Sequence, residues 1–271
     1  MLDTILIARD ECFSPHSEEK DLAILQAVGR CLTARGYNTT VVREDVQGEA
    51  LRILQPSANT LYASMGRHKA TLAFLRKQEQ IGMKVVNSTK GVEICFRRVL
   101  LEQLMQREGF PMPADEGYGY WVKRGDASSQ SSEDVAFAAD VEELDRAIRR
   151  FHQRGIRDVV VSSHVPGDVV KFYGVEGADF FRVFYPTDDG VTKFGDEERN
   201  GSARHYPFDV ERLRQEAERL SRLTGVPVYG GDAVVTEQGQ FCIIDFNDWP
   251  SYSRCREAAA EAIAYLLDKH V

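Results

Sequence analysis

The stretch 228–246 constrains this chain more than any other. Two apolar runs, 228–236 and 240–246, flank Glu237-Gln238-Gly239, a pattern that predicts an antiparallel hairpin. Asp232 falls on the first strand, and Asp245 and Asn247 fall on the second, two apart and so on one face. Asp245 follows the apolar run 241–244 directly. A carboxylate in a strand that reads as buried is costly without a cation. Three oxygen-bearing side chains on adjacent strands suit a hard divalent ion, which takes carboxylate and amide oxygens together with phosphates. The blander alternative is that 245–248 starts a surface turn and caps the next helix.

The first ninety residues alternate strand and helix. Strands are expected at 4–8, 39–43, 60–64 and 84–86. Helices are expected from Leu22, Ile24, Leu25, Val28 and Leu32 and across 69–80. This pattern predicts a small parallel sheet, with ligands at the carboxyl ends of its strands, near 9–16 and 65–68. Asn87-Ser88 should cap one long helix running to Arg107, stopped by Gly109 and Pro111-Met112-Pro113. Strands at 119–123, 135–138, 159–163, 168–173 and 180–185 follow, with helices at 141–153, 208–223 and 254–269. The serine-rich stretch 126–134 and the polar stretch 187–205 read as loops. The expected division is 1–88, 89–163 and 164–271.

The formal net charge of -8 argues against nucleic acid or an anionic membrane as partner. No apolar run approaches the ~18 residues of a membrane span, and no secretory signal is evident. Cys12, Cys31, Cys95, Cys242 and Cys255 show no paired spacing, as expected of reduced thiols in a cytoplasmic protein.

The closing pattern, Gly231-Asp232-Ala233-Val234 followed by Ile243-Ile244-Asp245-Phe246-Asn247, resembles the signature of the ATP-grasp superfamily. The resemblance runs from Asn87 onward and extends to residues 1–86, which match the small α/β lobe that precedes such domains. It implies an α/β fold with a small parallel amino-terminal lobe and two α+β lobes clasping ATP. It also implies magnesium, or manganese, held on the ATP phosphates by Asp232, Asp245 and Asn247. Lys123 resembles the strand lysine on the phosphates, and Arg98 stands in register with an earlier phosphate-binding lysine. The segment 159–165 looks like the adenine hinge, with Val161, Ser162, Ser163, His164 and Val165 contacting the nucleotide. Lys171 is similar to the lysine that points into the nucleotide and acceptor cleft, with Arg182 lining it from the next strand.

Two departures from the ligase pattern stand out. An arginine is usual two residues before the first metal-binding acid, where this chain has Gly230, so Arg182, Arg254 or Arg256 would have to substitute. The second acid is Asp245 rather than glutamate. The resemblance implies a ligase that phosphorylates a carboxylate for attack by an amine, with Lys171, Arg182 and Arg254 catalytic. The alternative is a small-molecule kinase, because the stretch from Ser163-His164 to Lys171-Phe172-Tyr173 is similar to inositol-polyphosphate kinases. A non-catalytic nucleotide-binding protein is the third option. A small anionic acceptor is expected near 249–256, 9–21, His164 and 187–205, with Tyr252, Arg254 and Arg256 at a helix start. His16, His164 and His205 are candidate bases. A homodimer is one option for the assembly.

Overall fold

The alternation of the first ninety residues becomes a four-stranded parallel sheet in the order β2-β1-β3-β4. The strands are β1 (Asp3–Ala8), β2 (Asn38–Arg43), β3 (Thr60–Ser64) and β4 (Lys84–Val86). The computed structural model describes residues 3–14, 17–54, 57, 59–114, 117–127, 129, 131–189 and 199–269. β1 sits centrally because both its faces are apolar: Leu6 and Ile7 are completely buried. Helix α1 (Glu18–Ala34) lays Ile24, Leu25, Val28 and Leu32 on one side of the sheet. Short α2 (Glu49–Arg52) and α3 (Lys69–Gln80) complete the crossovers.

The expected long helix after Ser88 is two helices, α4 (Thr89–Phe96) and α5 (Arg98–Arg107). Ser88 does cap the first, its Oγ accepting from Gly91 N at 3.1 Å. Arg97 then leaves the helical region, and Val99 N donates to Gly125 O at 3.1 Å instead of continuing the ladder. No glycine or proline marks this break. It comes from a tertiary hydrogen bond, which sequence periodicity does not register. Gly91 lets α4 run close to the end of the helix at 210–224, since a Cβ there would lie 2.3 Å from Thr224 O.

A three-stranded antiparallel sheet follows, β6-β5-β7, from β5 (Tyr120–Arg124), β6 (Val135–Ala138) and β7 (Val159–Ser163). Helix α6 (Val141–Gln153) covers it, capped by Asp140 and packing Ala147 and Phe151 on Val122. The last sheet is antiparallel, β11-β10-β8-β9. It contains β8 (Asp168–Val175), β9 (Phe180–Phe184), β10 (Val228–Val235) and β11 (Phe241–Asp248), with α7 (Val210–Thr224) packed beside it.

Each of the three expected stretches therefore holds one sheet, but the cores cross between them. Helix α8 (Arg256–Lys269) packs on α1, so Ala260, Ile263 and Leu267 share a core with Leu6 and Leu25. The completely buried Leu25 and Ile263 each contribute about 2 kcal/mol to that junction. Likewise Cys95, Leu101 and Met105 of α4 and α5 belong to the core under the last sheet. Buried Asn87 ties the two ends together: its side chain donates to Val228 O at 2.8 Å and accepts from Val228 N at 3.0 Å. No helix among the described residues is long and apolar enough to cross a membrane.

Candidate active site

The hairpin forms as expected, and its register puts Asp232 directly opposite Asp245. Next to this pair the ladder slips, so that Ala233 faces Ile243 and Ile244 is an extra residue on β11. Such a bulge re-aims side chains beside it. Here Ile243 and Phe246 point into the core, while Ile244, Asp245 and Asn247 all line a cavity of about 520 Å³. Asp232 lines the same cavity from β10.

Cations converge on these acids. Lys171 is opposite Asp232 in the β8–β10 register, and its Nζ donates to Asp232 Oδ1 at 2.8 Å. Arg98, brought round by the helix break at Arg97, stands 3.6 Å from Asp245 Oδ2 and donates to Ser129 Oγ at 3.1 Å. Lys123 Nζ donates to Ile244 O, the carbonyl of the bulged residue, at 3.3 Å. Burial opposes ionisation of Asp245 more than any other single influence. Arg98, Lys123, a hydrogen bond with Asn247, and Lys171 together outweigh it and hold the carboxyl below its ordinary range. Two carboxylates and an amide oxygen, side by side, are a donor set that could hold a magnesium-sized ion.

At the hinge, Ser162, Ser163, His164 and Val165 line the cavity. Val161 does not; it faces Val122 and packs into the core under α6. The backbone edge is also less open than expected, since Ser163 N donates to Ala114 O and His164 N to Gly119 O. Trp121 Nε1 donates to His164 Nδ1 at 3.2 Å, which fixes the imidazole proton on Nε2 when the ring is neutral. Burial, then the Arg199 guanidinium, pushes the His164 pKa down. Arg199 itself sits 3.7 Å over the Phe137 ring, and Asn200 Nδ2 donates to Val165 O at 3.4 Å. The segment after 198 thus straps the last lobe to the hinge.

Of the three arginines expected to replace one at position 230, only Arg254 lines the cavity. It donates to Tyr185 O at 3.1 Å. Arg182 is exposed on the edge strand, stacked on Phe180, and Arg256 is also away from the cavity lining. Tyr252 has a structural role: it is completely buried and donates to Gly174 O or Tyr229 O, each 2.9 Å away. His205 is paired with Asp188 outside the cavity, and His16 lies outside the described residues.

Residues that the hairpin argument misses fill the far end of the cavity. Arg9 and Arg67, just past β1 and β3, converge on Asp248. Arg67 Nη2 lies 2.5 Å from Asp248 Oδ1, and Arg9 donates to the backbone carbonyls of Asp248 and Trp249 at 3.2 and 3.0 Å. Asp21 takes the other side of Arg9 at 3.5 Å and accepts from Ser14 Oγ. Arg9 and Arg67 lie in the stretches 9–16 and 65–68, where the strand-end rule expects ligands, although neither is singled out there as a site residue.

No family model matches the sequence, and no curated protein does. Solved structures do match across nearly the whole chain. D-alanyl-alanine synthetase A from Vibrio cholerae superposes with a TM-score of 0.69 at 11% identity, covering 99% of this chain and 98% of that one. The RimK domain ATP-grasp protein from Sphaerobacter thermophilus gives 0.64 at 17% identity, covering 98% and 99%. D-alanine–D-alanine ligase from Bacillus anthracis complexed with ATP gives 0.65 at 12% identity, covering 100% of both chains. With its small parallel sheet followed by two antiparallel sheets around one cleft, this chain has the ATP-grasp fold.

Proposed function

We propose that the protein is an ATP- and magnesium-dependent ligase acting on a small anionic acceptor in the cytoplasm. The observation that carries this is the convergence of Asp232, Asp245 and Asn247 with Lys123, Lys171 and Arg98 in one cavity. Among the described residues lining that cavity, seven are lysine or arginine and four are aspartate, in a chain whose net charge is -8. Such a local excess of cations favours a polyphosphate together with an anionic acceptor.

In this reading the adenine lies toward Ser162–Val165 and the triphosphate toward the hairpin. Asp232, Asp245 and Asn247 would hold magnesium, or manganese, which when bound neutralises phosphate charge. Lys171, Lys123 and Arg98 turn from their present partners to the phosphate oxygens, so positioning and charge supply most of the catalysis. The acceptor carboxylate attacks the terminal phosphorus as the bond to the ADP oxygen breaks. An amine then displaces phosphate from the acyl phosphate. Arg254 is the cation offered to the acceptor side.

Position 230 supports a second reading. A Cβ at Gly230 would lie 2.8 Å from Pro250 Cγ, 2.9 Å from Tyr173 Cδ1 and 3.0 Å from Phe172 O. An arginine that steadies an acyl phosphate in ligases has no room there, which favours a hydroxyl acceptor and a kinase. An acceptor screen that measures ADP and inorganic phosphate together separates the two. A ligase releases both, whereas a kinase leaves the phosphate on its product. ATP binding without turnover across the screen would overturn both in favour of a binding protein.

A further inference from the structure

Asp10, Cys12 and His68 have no part in the scheme above, yet the fold gathers them. β1 and β3 are parallel neighbours, so the residues after each meet at one end of the sheet. Glu44, beyond β2, fixes both loops by accepting from the amides of Asp10 at 3.1 Å and of Arg67 and His68 at 2.9 Å. One ligand atom each from Asp10, Cys12 and His68 lies within 4.8 Å of the others.

The three side chains are held in place by a few local contacts. Asp10 Oδ1 accepts from Cys12 N at 2.9 Å, and Oδ2 lies 3.4 Å from His68 Nε2. That nitrogen is enclosed by protein and makes no hydrogen bond. A divalent ion between these groups would take one ligand atom from each and would occupy the enclosed imidazole nitrogen.

We propose that Asp10, Cys12 and His68 form a binding site for a zinc-class divalent metal ion, with a fourth position open to water. The mixed nitrogen, sulfur and oxygen donors suit zinc or cobalt and not magnesium, which avoids thiolate. Phe13 packs edge-on against His68, ring centroids 4.9 Å apart, and also lines the main cavity. A metal here would therefore fasten the loop beside the acceptor end to the start of α3.

The test is a titration of metal-stripped, full-length protein with cobalt(II) in the absence of nucleotide. One equivalent should bind with a thiolate-to-cobalt charge-transfer band, and zinc should displace it. The oxygen-donor set of Asp232, Asp245 and Asn247 gives no such band, so the two sites are told apart. Cys12→Ser should abolish the band, and His68→Ala should weaken affinity by about tenfold or more, with metal-free melting unchanged in both. A wild-type protein without the band, or a band that persists in Cys12→Ser, overturns the site. Should Cys12→Ser fail to fold, Asp10→Asn and His68→Ala decide: unchanged cobalt affinity in both also overturns it.

Discussion

Asp245 and Asp248 lie three residues apart on one strand, each facing two or more cations, yet they belong to opposite kinds of site. Asp248 has no exposed side-chain surface, and its partner Arg67 has only 4%. Asp245 keeps 18% and Arg98 14%, while Lys171 and Asp232 keep 28% and 21%. At Asp248 the guanidinium of Arg67 is close, and further hydrogen bonds hold both partners in place. At Asp245 the cation is 3.6 Å away and the pair borders open cavity. The same residue types thus fasten lobes when sealed from water and stay exchangeable when solvent reaches them.

The largest effect that would break this comparison is on stability. Asp248→Ala removes the carboxylate closest to buried Arg67 and leaves Arg9 with Asp21, and should cost about 3–5 kcal/mol, read from urea unfolding; a loss below ~1 kcal/mol would place Asp248 with the exchangeable group. Asp245→Asn should behave in the opposite way. Turnover should fall by ~10²–10³-fold, while unfolding without nucleotide shifts by no more than ~1 kcal/mol; undiminished turnover removes the metal role. Arg254→Ala sharpens the picture within the cavity. It should raise the acceptor KM about tenfold, equivalent to ~1.4 kcal/mol, with the ATP KM unchanged; an equal rise in both would move Arg254 to the nucleotide side.

The smallest effect concerns pH. His164 titrates below its ordinary value when folded, so the unfolded chain takes up its proton first as pH falls. Its contribution to stability is therefore complete near neutral pH and is lost as the pH falls through the ordinary histidine value toward the lowered one. Replacing His164 by Asn should flatten the stability profile between about pH 7 and 5. A profile as steep as that of the wild type would assign the slope to other groups.

Much of the candidate site was legible because its signals are local. Asp232, Asp245 and Asn247 could be read from strand alternation and from a charge set after an apolar run. Lys123 and Lys171 could be read from their places in apolar strands. Arg98 was legible as a residue but not as a geometry, because the break at Arg97 is made by the distant Gly125 carbonyl. Val161 and Arg182 lie off the cavity lining for related reasons. Alternation gives two faces but does not say which is cavity, and it does not distinguish an edge strand from a central one.

What the sequence alone determined was the order and type of most of the elements, though not the break at Arg97 or the short helix α2, together with the closing hairpin and the acids it carries, all encoded within a few residues of one another. Which cation meets which acid was decided only by tertiary structure. Arg67 and Asp248 are 181 positions apart, and Arg9 and Asp248 are 239 apart. Periodicity is a short-range property of the chain. The strength of a charge pair depends instead on distance through space and exclusion of water, and both are set when α8 closes on α1 and brings the last strand to the mouth of the first sheet.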